Sequence, residues 1–195
     1  MSGDDVALFP LGTVLFPGGR LPLRIFEARY MDMAKACLRD GVPFGVCLIR
    51  AGREVGTPAE PEPIGCLARI VEWDMQQLGL LLVTAAGGER FRILERRVEA
   101  DGLSRARIER LPDDEDEAVP EAFASCAHLL ERVVAERGEN VFAVPHRFDS
   151  ASWVGCRLAE ILPVPLAAKQ KLMELDDALM RLEILHKFLV QHRLA

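Results

Sequence analysis

The feature that most constrains the fold is a pair of short apolar runs, each closed by a proline, ahead of an amphipathic helix. The stretch is LFPLGTVLFPGGRLPLRIFEARYMDMAKACL, residues 8–38. The segment Pro17-Gly18-Gly19 predicts a turn, Leu21-Pro22-Leu23 an extended segment, and the helix is expected to begin near Phe26 and to end at Leu38. Proline has no N–H to donate to a ladder, so these runs are expected to be edge strands or strand ends.

The rest of the first half has the pattern of β-structure. Alternating apolar residues and compact apolar runs predict strands at 44–49, 64–73, 78–85, about 90–93 and 105–109. Gly87-Gly88 is expected to be a turn, and Asp101-Gly102 predicts a hairpin. The glycine- and proline-rich stretch 51–63 is expected to be a mobile loop. The pattern therefore predicts about six mostly antiparallel strands with one inserted helix.

The second half changes character after the acidic run at 113–117. Helical spacing predicts one helix over 121–137 and a second over 152–162. A third, which Pro165 opens, is expected to continue through Leu172 to Leu189. The predicted fold class is α+β. The expected domains are a β-lobe at 1–112, a solvated acidic linker at 113–120 and a three-helix lobe at 121–195.

Composition limits the possible partners and the cellular location. The chain has 195 residues, is half hydrophobic, and carries a net charge of −6, so no overall basic field attracts nucleic acid or anionic lipid. Asp4 and Asp5 stand where a secretory signal has basic residues, and the longest apolar run is far too short to span a membrane. The five widely spaced cysteines predict buried, reduced thiols and a cytoplasmic location.

Enzyme chemistry is not expected. None of the four lysines follows a phosphate-binding loop, and no serine lies in a glycine-rich elbow, which argues against an ATPase or a Ser–Lys peptidase. Cys126-x-His128 and Glu183-x-x-His186 each supply only half of a ligand set, so neither a metal nor another cofactor is expected. His186 is predicted to pack on the apolar stripe of the last helix.

The aromatic and proline-rich start carries the functional hypothesis. Phe9 and Phe26 are expected in the core. An edge strand leaves backbone groups that an extended peptide can pair with. The predicted peptide-binding residues are Phe16, Leu21, Leu23, Arg24, Arg29 and Tyr30.

The order of motifs resembles the N-terminal substrate-binding domain of Lon proteases. The resemblance rests on the opening stretch, Phe44-Gly45-Val46, the strand at 64–68, the segment at 88–93, and the C-terminal pattern LP…KQ…RLE.L from Leu162 to Leu185. It covers about residues 8–189. The resemblance implies a PUA-like antiparallel β-barrel followed by a helical bundle. No ATPase or peptidase region follows, so a stand-alone member is expected.

The predicted function is non-catalytic recognition of unfolded or exposed apolar protein segments. A separate ATP-dependent protease or chaperone is a conceivable partner, and no membrane is expected. RNA binding is the alternative, because PUA-like barrels in other families bind RNA and an arginine stripe is present: Arg90, Arg92, Arg96 and Arg97. The net charge makes nucleic acid an unfavoured partner. An enzyme of unknown type is the third possibility.

Overall fold

Residues 4–115 and 117–193 are described by a computed structural model, with Gln76 described by its backbone alone. The backbone divides into a sheet unit, Met1–Pro112, and a helical unit, Asp113–Ala195. Each of the two units is described by itself.

The sheet unit contains seven strands and one α-helix. They are β1 (Asp4–Leu11), β2 (Arg20–Ile25), α1 (Ala28–Asp40), β3 (Phe44–Ala51), β4 (Glu60–Pro61), β5 (Ile64–Gln77), β6 (Leu80–Val98) and β7 (Ser104–Arg110). Pairing runs β1-β7-β6-β5-β3, and β3 also pairs in parallel with β1, so these strands close a ring of pairings. The other pairings are antiparallel, which confirms the predicted mostly antiparallel sheet.

The first apolar run was predicted to be an edge strand or a strand end, and the second of these is confirmed for β1, because Pro10 is its last but one residue. This strand pairs with β7 from Asp4 to Leu8 and with β3 from Leu8 to Leu11. Pro10 lies beyond the end of the β7 pairing and has only β3 as a neighbour there. The proline therefore marks the point where one neighbouring strand ends, and the strand as a whole is flanked on both sides.

The pattern placed two turns correctly and misplaced a third. The turn predicted at Pro17-Gly18-Gly19 is present, and the N–H of Gly19 donates to the carbonyl of Phe16 at 3.0 Å. The Asp101-Gly102 hairpin is confirmed between β6 and β7, with Gly102 at a φ of 84°. Gly87-Gly88 is not a turn, because β6 runs unbroken through both glycines. A Cβ at Gly87 would lie 2.3 Å from the carbonyl oxygen of Phe16, so this glycine allows a close backbone approach.

Helix α1 begins two residues later than predicted and ends at Gly41, which adopts the left-handed conformation with a φ of 66°. Its buried face includes Tyr30, Met33, Ala34 and Cys37, spaced to meet one side of the sheet. This face joins the inner face of the strands in the larger apolar core of the sheet unit.

The described residues of the helical unit, 113–115 and 117–193, contain four α-helices, so the prediction of three was wrong. They are α2 (Ala124–Arg137), α3 (Ala151–Ile161), α4 (Leu166–Glu174) and α5 (Ala178–Gln191), with short 3-10 turns at Glu121–Phe123 and Glu139–Val141. The predicted last helix is broken because Asp177 caps a new one, its carboxylate accepting the N–H of Met180 at 2.8 Å. Among residues 4–115 and 117–193, no helix has the length and apolar character needed to cross a membrane.

The acidic segment that opens the helical unit is attached to that unit, unlike the expected solvated linker. Asp114 is buried and forms an ion pair with the buried guanidinium of Arg181 on α5. It also accepts a hydrogen bond from Ser152 at 2.8 Å. Arg181 donates to the carbonyls of Leu172 at 2.8 Å and Leu175 at 2.6 Å, where α4 ends. These contacts hold the acidic segment, α3, α4 and α5 together.

A first prediction follows from the packing of α5. Leu182 is completely buried, so Leu182→Ala is expected to lower the free energy of unfolding by about 2–5 kcal/mol through lost burial and the cavity it leaves. Urea titration followed by circular dichroism measures this change. Ile184, on the exposed face of the same helix, supplies the control: Ile184→Ala is expected to change stability by no more than about 0.5 kcal/mol. Equal effects at both positions would contradict the assigned faces.

Candidate functional site: an apolar groove along the second strand

A groove of about 400 Å³ lies in the sheet unit, beside β2. Its walls are formed by β2 and the residues that follow it, by the end of β1, and by the loop containing Glu54 and Val55. Binding pockets in proteins typically measure from about 300 to 1,000 Å³. The groove is thus large enough to accept a few side chains of a ligand.

The buried aromatic residues of the groove lining are Phe9 and Tyr30, which we call its aromatic floor. The rings of Phe9 and Tyr30 stack with centroids 4.1 Å apart, and Phe44 lies 6.2 Å from Phe9. The guanidinium of Arg29 lies 4.7 Å from the Tyr30 ring centroid on a further side. Burial raises the pKa of the Tyr30 hydroxyl, so it remains protonated at neutral pH. The floor therefore offers a fixed apolar surface.

The walls carry the exposed apolar side chains. Leu21 and Leu23 are partly buried and pack against the core from β2. Phe26 is 56% exposed and Val55 is 55% exposed, although both are large apolar residues. A ligand that covers these two side chains removes apolar area from water, which favours binding.

The backbone of β2 is paired on one side. In the described part of the chain, β6 is its only partner strand, as the prediction of an edge strand for this segment required. The N–H of Gly87 donates to the carbonyl of Gly19 at 2.8 Å, which fixes the alternation of the ladder. The backbone groups that point away from β6 then belong to Arg20, Pro22 and Arg24. We call these groups the open edge of β2.

The acidic side chains of the groove are already engaged. Glu27 forms an ion pair with Arg29 at 2.9 Å, and Arg29 also donates to the carbonyl of Gly102 at 3.0 Å. Glu54 accepts a hydrogen bond from the backbone N–H of Gly12. These contacts give both acidic side chains of the groove a partner within the protein.

Four of the six predicted binding residues line the groove: Leu21, Leu23, Arg24 and Tyr30. Phe16 does not, because its side chain is completely buried. Arg29 is buried and lines a separate cavity between α1 and β1. Sequence reasoning missed Phe26, which was expected in the core, and Val55 in the glycine-rich loop. An apolar residue in an otherwise polar loop was the signal that pointed to Val55.

The four arginines considered for RNA binding already have partners within the protein. Arg90 is buried and donates to the carbonyl of Pro112 at 3.0 Å. Arg92 pairs with Glu109 at 2.9 Å, and Arg96 donates to the carbonyl of Ala59 at 3.1 Å. Arg97 pairs with Asp5 and Glu99. These partners neutralise or hold the cations that phosphate groups would need.

The cysteines have the properties of structural thiols. All five are free and buried, as predicted. Burial raises the pKa of Cys126 to about 11 and also raises the pKa of Cys47 and Cys156, so these thiols are protonated at neutral pH. His186 packs against Phe123, with Ser125 Oγ 3.4 Å from its Nδ1. Among the described residues, no group of three or more potential metal ligands comes together.

A mostly antiparallel sheet with an apolar groove beside an open strand, followed in the chain by a unit of helices, defines an α+β domain of two units. A comparison of the whole sequence with family models assigns the family. The chain belongs to the family of ATP-dependent protease La (LON) substrate-binding domains, whose model matches residues 5–191.

Two solved structures have the same fold. A Lon N-terminal domain protein from Xanthomonas campestris is 35% identical, with a TM-score of 0.78 over 93% of this chain and 96% of that one. The N-terminal domain of a Lon protease from the Mycobacterium avium complex is 16% identical, with a TM-score of 0.68 over 97% of this chain and all of that one. At 16% identity, this second likeness shows the fold alone.

Among curated proteins, the Lon protease of Anaeromyxobacter dehalogenans (strain 2CP-C) is 29% identical over 202 residues, which cover 97% of this chain and 24% of that protein. Protein cereblon of Gallus gallus is 29% identical over 103 residues, covering 51% of this chain and 22% of that protein. The chain thus spans about a quarter of the length of the curated relatives it matches.

Proposed function

We propose that the protein is a non-catalytic module that binds extended, apolar segments of other proteins in the groove along β2. The observation that carries this proposal is the coincidence of an open strand edge with an apolar groove. A strand edge offers backbone hydrogen bonds to any extended peptide, and pockets beside it accept alternate side chains. Family membership supports the same function, since the family is described as substrate-binding.

The geometry favours weak and tolerant binding. Backbone pairing is independent of sequence, and the contact area offered by Phe26, Val55 and the leucines of β2 is small. Ordering an extended chain opposes association. We expect dissociation constants on the order of micromolar to millimolar. Unfolded segments and exposed apolar segments are the ligands with this chemistry.

The proposal also covers the barrel fold, the partner proteins and the cellular location. The closed ring of strand pairings supports a PUA-like barrel for the sheet unit. The Lon relatives support a link to protein quality control, with a separate ATP-dependent protease or chaperone as the protein that receives a bound segment. Five free, buried cysteines support a cytoplasmic setting.

A titration tests this function. A fluorescently labelled unfolded protein, reduced and alkylated α-lactalbumin, is expected to bind with an affinity that changes little with salt, because apolar contacts supply it. Val55→Glu places a charge against the ligand and is expected to weaken binding about tenfold, or about 1.4 kcal/mol. The matched control is Val42→Glu, at a valine that is 47% exposed outside the groove. It is expected to leave binding unchanged.

The same experiment includes a short single-stranded RNA. RNA binding mediated by phosphate contacts weakens steeply as salt rises. If RNA binds with such a salt dependence while the unfolded protein does not bind, the proposed function is wrong. Equal losses with Val55→Glu and Val42→Glu would instead show that binding occurs outside the groove.

A further inference from the structure

Arg24 differs from every other charged side chain of the groove. It is exposed on β2, and within residues 4–115 and 117–193 it takes part in no hydrogen bond or ion pair. Glu27 and Glu54 are both engaged, by Arg29 and by the N–H of Gly12. Among the described residues that line the groove, Arg24 is therefore the one charged side chain without a hydrogen-bond or ion-pair partner.

Arg20 provides the internal comparison. It lies four residues before Arg24, so their side chains project from the same face of β2. Arg20, however, has an ion-pair partner in Glu72 at 3.6 Å. Of the two arginines on this face, Arg24 is the one that can give its full charge to a ligand.

The strand register determines where a complementary charge must lie. The backbone groups of Arg24 belong to the open edge, so a strand added there places one residue directly opposite Arg24. Side chains of directly opposed residues lie on the same face, about 4.5–5.5 Å apart at Cβ. The ligand residues on either side of that position lie opposite Leu23 and Ile25, and their side chains face the other way, towards the apolar side of β2.

We propose that the groove selects extended segments in which an acidic residue stands between two apolar residues, with its carboxylate paired to Arg24. This inference rests on the proposed function, because it assumes strand addition at β2. The planar guanidinium matches a carboxylate through two parallel hydrogen bonds. A lysine at the same ligand position brings two cations together and opposes binding. The ligand class is thereby narrowed from apolar segments to alternating apolar–acidic–apolar segments.

The acidic group is a side chain within the segment. Arg24 is followed by Ile25, which is still paired with β6, so β2 continues past the arginine. An added strand can therefore also continue past it, and the position opposite Arg24 lies inside the segment. In antiparallel addition, a ligand with a carboxylate only at its C-terminus would have to end there and would lose the contacts with Leu23 and Leu21.

The test uses three short peptides with blocked termini that differ only in a central aspartate, asparagine or lysine between valines. Fluorescence anisotropy is expected to rank them aspartate, asparagine, lysine from tightest to weakest. Each step is expected to be about three- to fivefold, as for an exposed cross-strand charge pair. With Arg24→Glu the order is expected to reverse, so that lysine binds tightest. Arg20→Gln, the matched control, is expected to keep the original order.

A fourth peptide tests whether the carboxylate can come from the C-terminus of the ligand instead of an internal side chain. It carries asparagine at the centre and a free C-terminus. If it binds as tightly as the blocked aspartate peptide, the assignment to an internal side chain is overturned. If all three blocked peptides bind equally and Val55→Glu weakens all of them, the charge preference fails while the proposed function stands. If none of them binds, both fail. If the preference for aspartate persists in the Arg24→Glu variant, another cation causes that preference and the inference is overturned.

Discussion

Asp114→Ala is expected to lower the free energy of unfolding by about 3–5 kcal/mol, because it leaves the buried guanidinium of Arg181 without its carboxylate. The side chain of Arg181 is 1% exposed, so water cannot replace the lost partner. The same change removes the acceptor for Ser152 and frees the acidic segment from α5. Urea titration of the full chain, followed by circular dichroism at a helical wavelength, measures the effect.

Two variants make the cause identifiable. Asp113→Ala removes a neighbouring but exposed carboxylate and is expected to change stability by no more than about 0.5 kcal/mol. The double variant Asp114→Ala with Arg181→Leu removes both charges, and it is expected to recover part of the loss since a buried ion pair can be replaced by apolar packing. A wild-type unfolding curve for Asp114→Ala would show that the acidic segment is a solvated linker after all.

Phe16→Ala is expected to cost about 3–5 kcal/mol of folding free energy, because the side chain is completely buried and its removal leaves a cavity. The carbonyl of the same residue lies close to Gly87, so the surrounding backbone is tightly packed and is expected to relax little. Urea titration followed by near-ultraviolet circular dichroism reports this loss through the aromatic core.

Phe26→Ala is the matched control for this prediction. Phe26 is 56% exposed at the groove, so its truncation is expected to cost less than about 1 kcal/mol of stability while weakening the binding of an unfolded protein. The pair thus separates a core residue from a contact residue. Near-wild-type stability for Phe16→Ala, together with lost binding, would return Phe16 to the binding surface and overturn its assignment to the core.

These two phenylalanines also show what the sequence can and cannot predict about the site. Phe16 precedes a proline at the end of an apolar run, and Phe26 stands where the helix was expected to begin. Neither pattern indicates which way the ring points. Phe16 lies in the connection between β1 and β2, and Phe26 in the connection between β2 and α1. Whether each ring faces the core depends on how these connections pack against residues far away in the sequence, such as Gly87 beside Phe16. The sequence therefore indicated that residues of the first thirty positions line an apolar surface. It did not indicate which of the phenylalanines is exposed there.

The same limit explains the differences in the fold. The parallel pairing of β1 with β3 joins strands separated by α1, and no local pattern signals it. Leucines spaced three and four apart from Leu172 to Leu189 suit one long helix or two shorter helices that bury the same side. The break at Asp177 is a capping signal that competes with this periodicity. The succession of strands followed by helices was predictable because periodicity alone determines it.

Pro22, in the middle of the open edge, is expected to shorten the time for which a segment stays bound. A strand added to β2 can bond to the donors of Arg20 and Arg24, but the proline between them offers only a carbonyl. Among related complexes, such losses change the dissociation rate more than the association rate. Segments are therefore expected to arrive at an ordinary rate and to leave quickly. Short residence suits a protein that hands its ligand to another, and it equally prevents two copies from remaining joined edge to edge.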